Sequence, residues 1–421
     1  MRGRRRWGTV WLVLLAAVVV AGTARADLHQ ELFSQGVVAG ADGIPVVVRP
    51  GTPIPPGGAD APRADLPVPA RYADLAADAL RDLDLMVLDG GAKDGQVLAG
   101  IHGAWRYSWT RDAAWVAAAL AVSGRQQDGL RVLTALQRNE QERVGAGLQG
   151  WQARYLPDGS ARTPDQRGAQ LDGPGWALWA TSVWAASETD PQARRAGLEQ
   201  LRPLVVSAAR TARDCIDPAT GLPRPSMDYW ELPTTVTTLG LAAPVLAGLR
   251  AGGPLLDELG LTADATATRS AATALDAAVQ RTFGAKGYPR SVRGGPKDTS
   301  VTWLTPPFAP ARGSVLRARD QAWTGAARAV GGVAPGVGWR ENTVAWTPST
   351  SAFGLSFAAS GDRREAEAVL DWLDEHRTTM GSLPEKVGGD GQAASVAPLS
   401  WTAAAVLLTL HELYGAGVPR P

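Results

Sequence analysis

From about residue 72 onward the chain alternates between two kinds of helical pattern. One kind is amphipathic, with its charges gathered on one face, and it recurs near 72–88, 128–141, 193–214, 263–282, 314–330 and 363–377. In 193–214, Leu198, Leu201, Val205 and Ala209 keep helical spacing, while Arg194, Arg195, Glu199, Arg202 and Arg213 lie mainly elsewhere. The other kind is apolar nearly all round, as helices covered on both sides are. Residues 113–122 read AAWVAAALAV, and 176–186 carry Trp176, Trp179, Val183 and Trp184. Further examples lie near 236–250, 349–359 and 401–410, with a weaker one near 299–305. No strand–helix–strand alternation interrupts the series. Six half-exposed and six buried helices in alternation predict an all-α (α/α)6 toroid, a barrel of six helical hairpins.

Outside that region the pattern changes. Arg2, Arg4, Arg5 and Arg6 precede an apolar run from Thr9 to about Val20, and Ala24-Arg25-Ala26 follows. This is the layout of a secretory signal peptide over residues 1–26, which places the protein outside the cytoplasm. Left uncleaved, the same segment would anchor it to the membrane. Residues 27–71 are rich in Pro, Gly and Asp, with one β-like run at Ile44-Pro45-Val46-Val47-Val48, and read as a tether or a strap on the main domain. No composition break divides 72–415, so this stretch reads as one domain, with a short tail at 416–421.

Composition narrows the function. Lys+Arg 42 against Asp+Glu 41 gives a net charge of +1, and without residues 1–26, which hold five arginines and no acids, the balance is −4. That argues against a nucleic-acid partner. The single cysteine, Cys215, allows no intramolecular disulfide and reads as a buried helix-end residue. Four scattered histidines, His29, His102, His376 and His411, offer no metal-ligand spacing, so neither a metal nor another cofactor is expected. Sixteen tryptophans against six tyrosines and five phenylalanines supply many indole faces, which suit sugar rings as well as large cores.

The chemistry sits in the loops ahead of the buried helices. Six such loops, at 105–112, 170–175, 226–231, 297–300, 339–348 and 384–400, are dense in Trp, Asp, Glu and Arg. In a toroid of alternating hairpins all inner helices run the same way, so these loops converge on one end of the barrel. Pro174, Pro233, Pro348 and Pro398 stand where a first-turn proline is tolerated. Two glutamates stand out. Glu231 closes Met227-Asp228-Tyr229-Trp230-Glu231, where a neighbouring indole would disfavour the charged form and suit a general acid. Glu385 lies beside Lys386, which would favour the charged form and suit a general base. Either could equally be a first-turn acid favoured by the helix dipole. Arg111-Asp112 can donate to and accept from two adjacent hydroxyls, although Asp112 also opens a helix. Asp172 reads as an N-cap first and a ligand second. Asp298 is similar. Trp105, Trp109 and Trp230 are candidate stacking faces, while Trp176, Trp179 and Trp184 read as core. His102 reads as structural.

The runs Trp105-Arg106-Tyr107-Ser108-Trp109-Thr110-Arg111-Asp112, Gln170-Leu171-Asp172-Gly173-Pro174, Asp228-Tyr229-Trp230-Glu231, and Glu385 ahead of Leu399-Ser400-Trp401 resemble glycoside hydrolase family 15, the glucoamylase-like family. The motifs keep the family's order over most of 72–410. The resemblance implies an inverting exo-hydrolase of α-glucosides, with Glu231 as general acid and Glu385 as general base. It implies that Arg111 and Asp112 grip the terminal sugar and that Trp109, Trp230 and Arg340 line its subsite. An α-glucan or α-glucoside is then the partner, and a monomer is expected.

The chain also departs from that family. The second acid that often follows the general acid is replaced by Leu232, and 160–169 lacks the tryptophan that fungal members carry before their Asp-Gly-Pro. Residues 27–71 are too few for the β-sandwich of many bacterial members. An α-1,6-glucan or a trehalose-like disaccharide therefore stands beside starch as substrate. A non-catalytic glycan-binding or cell-envelope toroid is the rival reading. A terpene-cyclase-like barrel is disfavoured by the absence of DDxxD and DxDD.

Overall fold

The computed structural model describes residues 30–40, 44–54 and 66–421. The proposed signal peptide lies outside the described residues. In chain order the α-helices are α1 (Ala73–Met86), α2 (Thr110–Val122), α3 (Gln126–Gly145), α4 (Gly173–Ser187), α5 (Pro191–Gln200), α6 (Arg202–Asp214), α7 (Leu239–Glu258), α8 (Thr262–Thr282), α9 (Gly313–Ala326), α10 (Thr347–Ser360), α11 (Arg363–Glu375) and α12 (Ser400–Tyr414). A 3₁₀ helix at Thr299–Leu304 falls between α8 and α9. The inner ring runs α2, α4, α7, the 3₁₀ helix, α10 and α12, and closes where α12 packs on α2. The outer helices α1, α3, α6, α8, α9 and α11 cover it. This is the (α/α)6 toroid expected from the pattern.

Burial explains the two helix types. Every residue of α2 is buried, whereas α11 buries only Ala366, Val369, Leu370 and Leu373 along one stripe. Two inner helices cross with no room for side chains: a Cβ on Gly175 would meet the Pro244 carbonyl oxygen at 2.2 Å, and one on Gly248 would meet the Gly175 Cα at 2.4 Å. Trp115, Trp176, Trp179, Trp303 and Phe308 are all fully buried and contact one another with ring centroids 5.0–5.8 Å apart. They fill the ring axis, so the barrel is plugged. Trp184 is also core, as expected.

Three local expectations change. The single helix read over 193–214 breaks at Leu201, because Pro203 lacks an N–H and its ring collides with the preceding turn. The sixth inner helix stays short because Pro306 and Pro307 follow it at once. Pro174 and Pro348 do occupy first turns, but Pro233 and Pro398 lie in the loops before α7 and α12.

The N-terminal segment is a strap. Its hairpin pairs β1 (Gly36–Val38) with β2 (Val46–Val48). Ser34 Oγ donates to the Ala397 carbonyl at 2.7 Å, and Thr378 Oγ1 donates to the Gln35 carbonyl. Two short ladders lie at the mouth of the barrel. One pairs β3 (Ser108–Trp109) with β4 (Arg154–Tyr155). The other is a three-stranded sheet of β5 (Ala345–Trp346), β6 (Lys386–Val387) and β7 (Ala393–Ala394), with β6 in the centre. At the far end, Val418 is buried and its amide donates to Glu412.

Candidate active site

The N-termini of α2, α10 and α12, with the loops at 229–231 and 335–346, border a pit of about 250 Å³ lined by at least five separated segments; the expected loops at 170–175 and 297–300 do not line it. Glu231 and Glu385 both line it, with Trp105, Trp109, Arg111, Asp112 and Trp230. Trp401 also lines it and packs edge-on against the buried Trp115, 5.9 Å between ring centroids. With the ring axis plugged beneath, the pit is blind.

Glu231 ends a tightly held loop. Asp228 is fully buried and accepts hydrogen bonds from the Trp230 amide (2.9 Å) and Thr238 Oγ1 (2.7 Å). Arg290 joins it to Asp298, at 2.8 and 2.6 Å, and stacks over the Trp230 ring at 3.8 Å. The chain then turns through a left-handed conformation at Glu231 itself, φ 55°. Such a non-glycine conformation costs energy and persists only where the surroundings enforce it. Trp230 lines the pit beside Glu231, but the partners of the Glu231 carboxylate are cations, not the indole alone. Arg167 donates to its Oε2 at 2.8 Å, and Arg111 reaches its Oε1 at 3.4 Å.

Glu385 is set by the small sheet. Its amide donates to the Val396 carbonyl at 2.8 Å, and its carbonyl accepts from the Thr347 amide at 3.0 Å. Trp105 Nε1 donates to its Oε1 at 3.0 Å, and Ser395 Oγ donates to its Oε2. Burial pushes this carboxyl above the usual range, against the opposing pull of Lys386 and of the Ser395 and Trp105 hydrogen bonds. The sequence reading is corrected here too. The Lys386 ammonium lies over the Trp346 ring at 4.2 Å and points to Glu341 at 3.4 Å, so it does not outweigh desolvation.

Arg111 is the hub of the floor. It is buried within 3.4 Å of both Asp112 and Glu231 and 3.8 Å from Asp172, and it stacks over Trp401 at 4.8 Å. Burial raises Asp112 to about 6 and Asp172 to about 7, with Arg111 pulling the other way. Asp172 stands at the N-cap of α4 but makes no capping bond. It accepts from Trp176 Nε1 at 3.3 Å and lies behind Arg111, outside the lining. Arg340 is exposed and also outside the lining, where its neighbour Trp339 takes the place expected of it.

The sequence reading missed other lining residues. Arg154 and Arg167 lie in 149–169, which has no helical or strand period to place it; β3–β4 pairing brings in Arg154, and the Gln152–Ala169 bridge closes the loop that carries Arg167. Trp339 and Trp346 form an aromatic wall with Trp230, at 4.6 and 5.5 Å between successive rings. The dense 339–348 loop was the available signal. Around the pit the indole nitrogens of Trp109, Trp230, Trp346 and Trp401, and Arg111 Nε, have no hydrogen-bond partner among the described residues, as is also true of the core indoles of Trp115, Trp179 and Trp303. Cys215 plays no part; burial pushes its thiol up to about 12.

The architecture is a glucoamylase-like six-hairpin glycosidase fold. Among solved structures it is similar to a glycosidase, at 22% identity over 82% of this chain and 97% of that one, TM-score 0.69. It is also similar to the glucoamylase from Saccharomycopsis fibuligera (13%, 83% and 97%, TM-score 0.63). A third similar structure is the family 15 glucoamylase from Hypocrea jecorina (16%, 83% and 73%, TM-score 0.64). No protein-family model and no curated protein matches the sequence.

Proposed function

We propose that this chain is an exo-acting glycoside hydrolase that cleaves terminal α-glucosidic bonds with inversion. One observation carries the reading: Glu231 and Glu385 line the same blind, tryptophan-walled pit. A blind pit admits a chain end and not a chain middle. Arg111 and Asp112 at its floor hold the terminal sugar by its hydroxyls. Glu385 takes a proton from water as the water oxygen bonds to the anomeric carbon. Glu231 gives its proton to the glycosidic oxygen as the old bond breaks. Similarity to glycosidases and glucoamylases supports the hydrolase reading. The α-glucoside specificity rests on the matching motif order.

A single displacement releases a β-sugar from an α-glycoside. Proton NMR in the first minutes of hydrolysis reads the product anomer, and an α-anomer appearing first would exclude this mechanism. Complete lack of turnover on α-glucans and α-disaccharides would favour glycan binding without catalysis.

Arg167 supplies a further test. Its guanidinium holds Glu231 Oε2 at 2.8 Å and is held in turn by Asp165 at 3.0 Å, with about one-third of its side chain exposed. Arg167→Met should lower kcat/KM several-fold, since it releases one oxygen of Glu231 from its fixed position. An unchanged kcat/KM would show that Arg167 does not act on Glu231.

A further inference from the structure

The strap reaches both groups that hold Glu385. Two backbone hydrogen bonds tie Ser395 to the strap: the Phe33 amide donates to the Ser395 carbonyl and the Ser395 amide to the Glu31 carbonyl, each at 2.7 Å. Ser395 itself is held in a left-handed conformation, φ 68°, and its hydroxyl donates to Glu385 Oε2. The next residue of the strap, Ser34, is fully buried. It donates to the Ala397 carbonyl at 2.7 Å and accepts from the Ala397 amide at 3.1 Å. On the other side, the Phe33 ring stacks on His102 at 5.0 Å and lies 6.2 Å from the Trp105 ring. Trp105 is the second donor to Glu385. Both donors thus rest on Phe33 and Ser34, more than 60 residues away in sequence from either.

We propose that residues 31–35 of the strap are a positioning element for the general base, holding Ser395 and Trp105 against the Glu385 carboxylate. The proposal rests on the reading of Glu385 as base. The strap touches no substrate. It acts by keeping a strained backbone and an indole in one place. The charged and titratable groups nearest in effect to Glu385 are Lys386 and Glu341 on its own side and Asp112 across the pit, while in the strap Glu31 is exposed and meets Ser395 through its backbone, and His102 stacks on Phe33.

The test uses the full chain with Phe33→Ala, Ser34→Ala and Ser395→Ala, and the exposed strap variant Val46→Thr as control. Phe33→Ala should lower kcat roughly 10-fold with little change in KM, as expected for slackened placement of a reacting group. The acid limb of the profile should rise when a donor is lost or slackened, because the ionised carboxylate loses a stronger hydrogen bond than the protonated acid does. Phe33→Ala added to Ser395→Ala should cost less than it does alone, since part of its effect runs through the Ser395 bond and only the Trp105 part remains. Circular dichroism and thermal melts identify any variant that fails to fold, in which case Ser395→Ala with Ser34→Ala is read instead. Val46→Thr should match the parent. Folded Phe33→Ala and Ser34→Ala variants with unaltered kcat and acid limb would overturn the proposal while Glu385→Gln remained inactive. A fully active Glu385→Gln would overturn the base reading and the strap proposal together.

Discussion

Glu385→Gln and Glu231→Gln should each lower kcat by about 10²–10⁴-fold, the usual contribution of a positioned acid or base. The two should then differ. Loss of the acid matters less when the leaving group needs no proton, so Glu231→Gln should recover on aryl glucosides with acidic phenols, and Glu385→Gln should not. Neither should unfold the protein. Glutamine at 385 can still accept from Trp105 Nε1, and its amide can donate to the Ser395 hydroxyl, so the buried partners stay satisfied. Steady-state kinetics with paired substrates, with circular dichroism as a folding control, make the comparison. Full activity in either variant would remove that glutamate from the mechanism.

The second large effect belongs to Arg111. Arg111→Met keeps the volume but leaves Asp112, Asp172 and Glu231 without their shared cation. Removing one partner of a buried ion pair costs about 3–5 kcal/mol. Binding should suffer as well, with kcat/KM falling more than kcat if the terminal sugar is gripped here. Asp112→Asn is the milder companion, expected to lose kcat/KM about 10–100-fold through one charged hydrogen bond. The stability loss should depend on pH. Asp112 and Asp172 are raised in the folded chain, to about 6 and about 7, so it keeps protons that the unfolded chain has released. Their contribution is present below the ordinary aspartate value near 3.9 and is lost as pH rises through the folded values. Without Arg111 the folded values rise further, so the destabilisation should be smallest at acid pH and grow toward pH 8. Urea titrations at pH 5 and pH 8 read it directly, and equal losses would show that the carboxyls were not held by that cation.

The departures from the sequence reading share a physical origin. The environment of Glu231 looked apolar because Trp230 is its neighbour in sequence. Its real partners, Arg167 and Arg111, lie 64 and 120 residues earlier. Glu385 looked charge-stabilised because Lys386 follows it, yet successive side chains on a strand point to opposite faces, and Lys386 turns away to Trp346. The same one-residue offset separates the expected Arg340 from Trp339, which lines the pit. Neighbours in sequence are poor guides to electrostatics wherever the chain is extended.

What the sequence by itself determined is the ring. Helices covered on both sides must be apolar all round and those covered on one side need only a stripe, so the two kinds and their alternation are written locally. Their order places the polar loops at one end, and with it Glu231, Glu385, Arg111 and Asp112 in one pit. Only the tertiary structure decided how those groups are poised. The arginines on Glu231, the desolvation of Glu385, the shielding of Asp172 behind Arg111 and the docking of Phe33 and Ser34 beside Ser395 and Trp105 all join segments far apart in the chain. Burial and hydrogen bonding are properties of the packed neighbourhood, and no local pattern encodes them.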